Sequence, residues 1–171
     1  IRAASGEMIN LMAIQGLPKG TEYFFSDLHG EHEAFIHLLR SSSGIIREKI
    51  KETFNYLIPE EEQIQLANLI YYPERILQKM TAEGRNTDDW QRITIYRLVR
   101  ICKEVSSKYT RSKVRKKMPP SFAYIIDELL HVDYNDENKK VYYSEIIHSI
   151  IDISIANEFL LHRCVLIQIL T

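Results

Sequence analysis

Most of the chain carries apolar residues at the three- and four-residue spacing of amphipathic helices. The first such pattern covers residues 7–17 and ends at Gly16 and Pro18, which both disfavour continuation of a helix. A second helical pattern covers residues 31–40. The serine-rich stretch that follows, residues 41–44, predicts a domain boundary.

Everything after that boundary predicts helix. Pro59 and the three glutamates behind it suit the first turn of a helix, where proline and negative charge are both favoured. Pro73 should interrupt that helix, and Thr87 should cap a later one. Glycine is absent after Gly84, whereas a parallel sheet with tight strand-to-helix turns would use several. Residues 45–171 are therefore predicted to form an all-helical unit.

Two helical stripes and one break complete this prediction. The helix after Pro59 should bury Ile64, Ala67, Leu69 and Ile70. The helix after Thr87 should bury a longer stripe, which consists of Trp90, Ile93, Tyr96, Leu98, Ile101, Cys102 and Val105. The last helical stretch covers residues 139–170, with a break expected near Asn157.

One short segment has a different pattern. Residues 21–26 predict a strand that runs directly into Asp27, His29 and Gly30. Strand side chains repeat every second residue, so Asp27 and His29 should point to the same side with Cα atoms about 6.6 Å apart. A carboxylate and an imidazole at that spacing can bind one cation, and Gly30 permits the turn that follows. The alternative is an ordinary turn at a strand end.

The predicted fold class is mainly α. One N-terminal strand would belong to an α/β sheet, and a large all-helical insertion would follow it. We expect two parts: residues 1–44, a piece of the sheet-containing core with the Asp27–His29 motif, and residues 45–171, the helical insertion domain.

Composition excludes several classes of partner. The 171 residues are 45% hydrophobic and 26% charged with a net charge of −1, so no overall field favours nucleic acid or an anionic membrane. No apolar run is long enough to span a bilayer. Cys102 and Cys164 lie far apart in helical patterns, which predicts two buried reduced thiols and suits a cytoplasmic protein.

A basic run is the second candidate site. The run consists of Lys108, Arg111, Lys113, Arg115, Lys116 and Lys117, and it could bind a sugar phosphate, a nucleotide effector or nucleic acid. The first four of these residues are the predicted phosphate contacts. The alternative, which we favour, is a solvated helix end whose charges are balanced by nearby acids such as Asp127 and Glu128. Nucleic acid is not expected, because Tyr109 is the sole aromatic residue in the run.

Several motifs resemble one enzyme family. Residues 27–30, Asp-Leu-His-Gly, resemble the first motif of the calcineurin-like metallophosphoesterases. The wider sequence resembles the class III fructose-1,6-bisphosphatases of bacteria. The resembling segments, spread over nearly the whole chain, are 17–22 (Leu-Pro-Lys-Gly-Thr-Glu), 26–31, 69–74 (Leu-Ile-Tyr-Tyr-Pro-Glu), 107–116 and 122–131.

The resemblance implies an activity and a metal. Such enzymes hydrolyse fructose 1,6-bisphosphate in gluconeogenesis at a two-manganese centre, in which Asp27 and His29 would bind one Mn²⁺. It also implies regulation by AMP or phosphoenolpyruvate. A homo-oligomer is expected for a separate reason, because helices that should cover the missing sheet would expose apolar faces. A serine/threonine protein phosphatase is disfavoured, because such enzymes reach their second motif after one short helix and strand, whereas residues 31–171 are mostly helical here.

The remaining family motifs are missing from this sequence. It contains no Gly-Asp pair and no Asn-His pair, so at most two ligands of the two-metal centre are present. The chain begins without methionine and ends within an apolar pattern, so we expect it to be an inactive piece of a longer enzyme. The alternative function is a helical regulatory or oligomerisation module with no catalysis of its own.

Overall fold

A computed structural model describes residues 2–18, 24, 26, 29–41, 44–131 and 136–171 of the chain. These residues form α-helices joined by short connections. The helices, in chain order, are α1 (Arg2–Gln15), α2 (His32–Ser41), α3 (Ile45–Phe54), α4 (Glu60–Tyr71), α5 (Pro73–Ala82), α6 (Asp88–Ser106), α7 (Arg111–Arg115), α8 (Ala123–Leu130), α9 (Glu137–Asp152) and α10 (Ala156–Leu170). We call α1 and α2 the N-terminal segment, and α3 to α10 the helical body.

The predicted strand is wrong for the described residues, which are all helical outside their connections. Phe24 and Ser26 have no regular secondary structure, and the rest of residues 21–26 lie outside the described residues. A single strand is not stable alone, because its N–H and C=O groups need a neighbouring strand. No such neighbour lies among the described residues.

Local signals placed several helix ends correctly. Thr87 caps α6, since its side-chain oxygen accepts a hydrogen bond from the backbone N–H of Trp90 at 3.3 Å. Pro73 separates α4 from α5 and occupies the first turn of α5, where no N–H is needed. The break expected near Asn157 lies between α9 and α10, where Ser154 adopts a positive φ of 60°.

The core of the helical body is centred on α6 and α10. Helix α10 packs against α4, α5, α6 and α9, while α3 packs against α4 and α6. Among the fully buried side chains are Leu98 and Ile101 of α6 and Phe159 and Leu160 of α10. Each such side chain contributes about 1.5–3 kcal/mol by leaving water, so this interface is a large contributor to the stability of the body.

Part of each predicted stripe is not buried. Leu98, Ile101, Cys102 and Val105 are buried as predicted, but Ile93 and Tyr96 remain 50% and 42% exposed. With 3.6 residues per turn, Ile93 lies about a third of a turn and Tyr96 about half a turn from the centre of the buried side. Ile64 of α4 is likewise 39% exposed, whereas Ala67, Leu69 and Ile70 are buried.

The N-terminal segment contributes little to this core. Among the residues whose burial is described, all members of the continuous buried cluster lie between Ile46 and Leu170. In α1, by contrast, Met8, Ile9 and Met12 expose more than half of their surface. Division of the chain at residue 44 is consistent with this distribution and stays a prediction. Within the part of the chain that the structure describes, none of the helices has the length and apolarity that a bilayer crossing requires.

Candidate functional site

His29 lies in the turn that precedes α2. Its backbone φ is +47° and that of Gly30 is +76°, and the N–H of His32 donates to the carbonyl of Gly30 at 2.9 Å. The turn predicted at Gly30 is therefore confirmed. The His29 side chain is exposed, so its imidazole is accessible to a ligand.

The geometry at His29 corrects one step of the sequence argument. A φ of +47° is left-handed, so His29 is not in extended backbone and the two-residue alternation of a strand does not hold there. Histidine adopts this conformation more often than most residues, so its residue type was a signal in the sequence for a left-handed backbone at this position. Asp27 lies outside the described residues, so its convergence with His29 stays a prediction.

The described residues do not complete a metal centre by themselves. No group of three or more His, Cys, Asp or Glu side chains among them could hold an ion. A catalytic centre usually needs at least three protein ligands. An exposed imidazole nitrogen fits as one ligand, with the Asp27 carboxylate predicted as the second.

One arginine of the basic run is already paired. The guanidinium of Arg111 donates to both carboxylate oxygens of Asp127, at 2.6 and 3.3 Å. Asp127 is buried, with 7% of its surface exposed. Arg111 holds the pKa of that carboxyl below its ordinary value, because the bidentate bond favours the ionised form. The predicted charge balance is thus confirmed for Arg111, which attaches α7 to α8.

Two lysines of the run lie beside one aromatic ring. The ammonium groups of Lys108 and Lys113 are 5.3 and 4.4 Å from the centre of the Tyr109 ring, within cation–π range. Burial lowers the pKa of Lys108, and the charges of Lys49 and Lys113 lower it further. Lys108 also donates to the carbonyl of Thr171 at 3.0 Å.

The four residues that were predicted to contact phosphate lie in different surroundings. Arg111 has a structural partner, while Lys108 and Lys113 form a local cluster of like charge around Tyr109. Arg115 is exposed on α7, close enough to Asp127 to help stabilise its charge. A role of Lys108, Lys113 or Arg115 in binding an anion stays a prediction.

A buried arginine was missed by the sequence reasoning. Arg163 of α10 has 0% of its surface exposed, and its Nε and both Nη atoms lack a hydrogen-bond partner among the described residues. The ring of Phe159 lies 5.9 Å from its guanidinium carbon. The available signal was its position in the sequence, because Arg163 is followed directly by the apolar residues Cys164 to Ile167 of α10.

The two cysteines are buried and reduced, as predicted. Burial raises the pKa of the Cys102 thiol and that of the Cys164 thiol, because the thiolate is disfavoured in an apolar interior. Neither sulfur is therefore suited to act as a nucleophile near neutral pH.

Comparison with known proteins gives a consistent result. A family model described as Firmicute fructose-1,6-bisphosphatase matches residues 1–171. A Clostridioides difficile protein named fructose-1,6-bisphosphatase class 3 is 51% identical over 168 residues, which are 98% of this chain and 25% of that protein. Proteins of the same name from Clostridium botulinum and Clostridium acetobutylicum are 53% and 52% identical over 98% of the chain, which covers 26% and 25% of their lengths. The chain thus spans about a quarter of each of these relatives. No solved structure matches it.

Proposed function

Because the chain belongs to the Firmicute fructose-1,6-bisphosphatase family, we propose that it is part of an enzyme that hydrolyses fructose 1,6-bisphosphate to fructose 6-phosphate and phosphate. The observation that carries this proposal is 51% identity over 98% of the chain to a protein named for that activity. The enzyme would be a phosphoric monoester hydrolase of the metallophosphoesterase type, acting in gluconeogenesis in the cytoplasm.

The metal centre is assigned to two residues of this chain. Asp27 and His29 would bind one Mn²⁺, since oxygen and nitrogen ligands suit this ion. His29 supports the assignment, because its side chain is exposed in a turn that Gly30 closes. Bound there, the metal would supply Lewis acidity, which would favour ionisation of an attacking water and offset the charge of the phosphate oxygens. With two ligands and no more, this chain alone should show no turnover.

Regulation and assembly belong to the same proposal. Lys108, Lys113 and Arg115 would contact the phosphate of an effector such as AMP or phosphoenolpyruvate. The apolar residues that α1 exposes support self-association, and hence a homo-oligomer. No membrane or nucleic acid is proposed as a partner.

A second function has its own supporting observation. The helical body closes a continuous core between Ile46 and Leu170, to which the described residues of the metal motif, His29 and Gly30, do not contribute. Such a unit can act as a regulatory or oligomerisation module with no catalysis of its own. The two functions are compatible, one for the whole enzyme and the other for this part of it.

The test uses the longer enzyme and one matched histidine. Asp27→Ala and His29→Ala should each lower both bound manganese and fructose-bisphosphatase activity, on the order of 100-fold or more, as expected for loss of a direct ligand. His32→Ala is the control, because His32 is also exposed but starts α2. Metal content by mass spectrometry and phosphate release are the measurements.

Two results would contradict the proposal. Normal metal content and rate in both ligand variants would remove the site assignment. Release of phosphate by the 171-residue chain at the rate of the longer enzyme would show that the other ligands are unnecessary.

A further inference from the structure

A groove lies where α6, α8 and α9 meet. It encloses about 430 Å³, and its lining includes three buried residues, Val99, Leu129 and Tyr143. Ile93, Tyr96 and Ile147 also line it. This volume falls in the range of roughly 300–1,000 Å³ typical of small-molecule sites.

The groove explains why two apolar residues that were predicted to be buried are exposed. Ile93 and Tyr96 stay 50% and 42% exposed because the part of α6 that carries them faces this opening and not α10. Ile147 of α9 is half-buried on the other side. An apolar ligand binds favourably to such a surface, because binding removes apolar area from water.

The two charged residues that line the groove are both cations. Arg92 of α6 and Lys140 of α9 both line it, and none of the described lining residues is a carboxylate. Arg92 pairs with Asp89 at 2.8 Å, and Lys140 pairs with Glu137. The side chains of these two acids are 85% and 81% exposed, so both are ion pairs at the surface, which contribute little. Both cations can therefore turn to a ligand at small cost.

We propose that this groove binds a small amphipathic anion, with an apolar body against Val99 and Leu129 and a carboxylate or sulfonate at Arg92 and Lys140. The hydroxyl of Ser144, which also lines the groove, adds a hydrogen-bond donor. A docked helix is a poorer occupant, because it would need a continuous apolar strip for residues at i, i+3, i+4 and i+7. This site does not depend on the proposed phosphatase activity.

The experiment uses a fluorescent probe of matching chemistry. 8-Anilinonaphthalene-1-sulfonate is titrated into the chain, octanoate is added as a competitor, and methyl NMR locates the perturbed residues. Saturable one-to-one binding should shift the methyl signals of Ile93, Val99 and Leu129, and octanoate should reverse the shifts. The same titration is run on the longer enzyme.

Three variants separate the contributions. Ser144→Trp fills the opening from an exposed position and should weaken binding at least about tenfold. The double variant Arg92→Gln/Lys140→Gln should weaken it by about tenfold and remove the preference for octanoate over neutral octanol. Lys116→Gln/Lys117→Gln removes two exposed cations elsewhere on the surface and should change nothing.

Any of three results would overturn the proposal. The first is binding that is not saturable, or that shifts methyl groups outside the groove. The second is equal affinity in the Arg92→Gln/Lys140→Gln and Lys116→Gln/Lys117→Gln variants. The third is that the methyl signals of the groove differ between the longer enzyme and the 171-residue chain before any ligand is added, and do not respond to the probe in the longer enzyme. A polypeptide segment would then be the occupant.

Discussion

The N-terminal segment and the helical body carry similar helical patterns but bury them to very different extents. In α1, Ile9 and Met12 are 68% and 66% exposed, whereas Phe159 and Leu160 of α10 are fully buried. The difference shows that an apolar stripe defines which side of a helix can be buried, and that a facing surface decides whether it is. For α10 that surface is α6, and for α1 none of comparable extent lies among the described residues.

The largest expected effect comes from one substitution made in both regions. Leu160→Ala should lower the free energy of unfolding by about 2–5 kcal/mol, because it removes a fully buried side chain and leaves a cavity. Leu11→Ala in α1, where the side chain is 52% exposed, should change it by less than about 0.5 kcal/mol. Urea denaturation measures both. Equal costs at the two positions would mean that the two regions are equally packed.

The second prediction concerns the buried cation of the helical body. Arg163→Met should raise the free energy of unfolding by about 1–4 kcal/mol, because an unpaired buried charge is replaced by an apolar side chain of similar length. Thermal and urea denaturation give the measurement. The matched control is Arg100→Met, since Arg100 is half-buried over the ring of Phe54 at 5.1 Å and should gain nothing. A clear loss of stability in Arg163→Met would show that its guanidinium has a favourable partner.

A smaller effect should come from the paired buried acid. Asp127→Asn should lower the free energy of unfolding at pH 7 by about 1–3 kcal/mol, because one charge-assisted bond to Arg111 is lost. The control is Asp89→Asn, whose side chain is 85% exposed and whose pair with Arg92 should contribute far less.

The pH dependence of this difference follows from the sign of the pKa shift. Since folding lowers the pKa of Asp127, its ionised form contributes stability that is fully present above the unfolded pKa. The contribution is lost as the pH falls through the folded pKa, so wild type and Asp127→Asn should converge below about pH 4. A difference that stays constant down to pH 2 would contradict the ion-pair explanation.

Local chemistry explains which features could be predicted. Thr87, Pro73 and Gly30 act on their own neighbours, through a side-chain cap, a missing N–H and a permitted positive φ, so each was placed correctly from sequence. The burial of Cys102 and Cys164 also followed from local periodicity. The candidate site was less predictable, because strand alternation was assumed at His29, whose backbone is left-handed.

Contacts between distant segments explain the rest. Arg111 and Asp127 are 16 residues apart, and the sequence offered both a phosphate contact and a charge partner for Arg111. The exposure of Ile93 and Tyr96 depends on where α8 and α9 leave a groove beside α6. The burial of Arg163 depends on how α6 and α10 meet.

By itself, the sequence determined the helical character of the described residues after residue 44, several helix ends and the resemblance to the enzyme family, because these depend on periodicity, caps and short motifs. Tertiary structure alone decided which apolar side faces a partner helix, which cation is paired and where a groove stays open. The physical reason is that burial and pairing are properties of two surfaces in contact, whereas periodicity describes one of them.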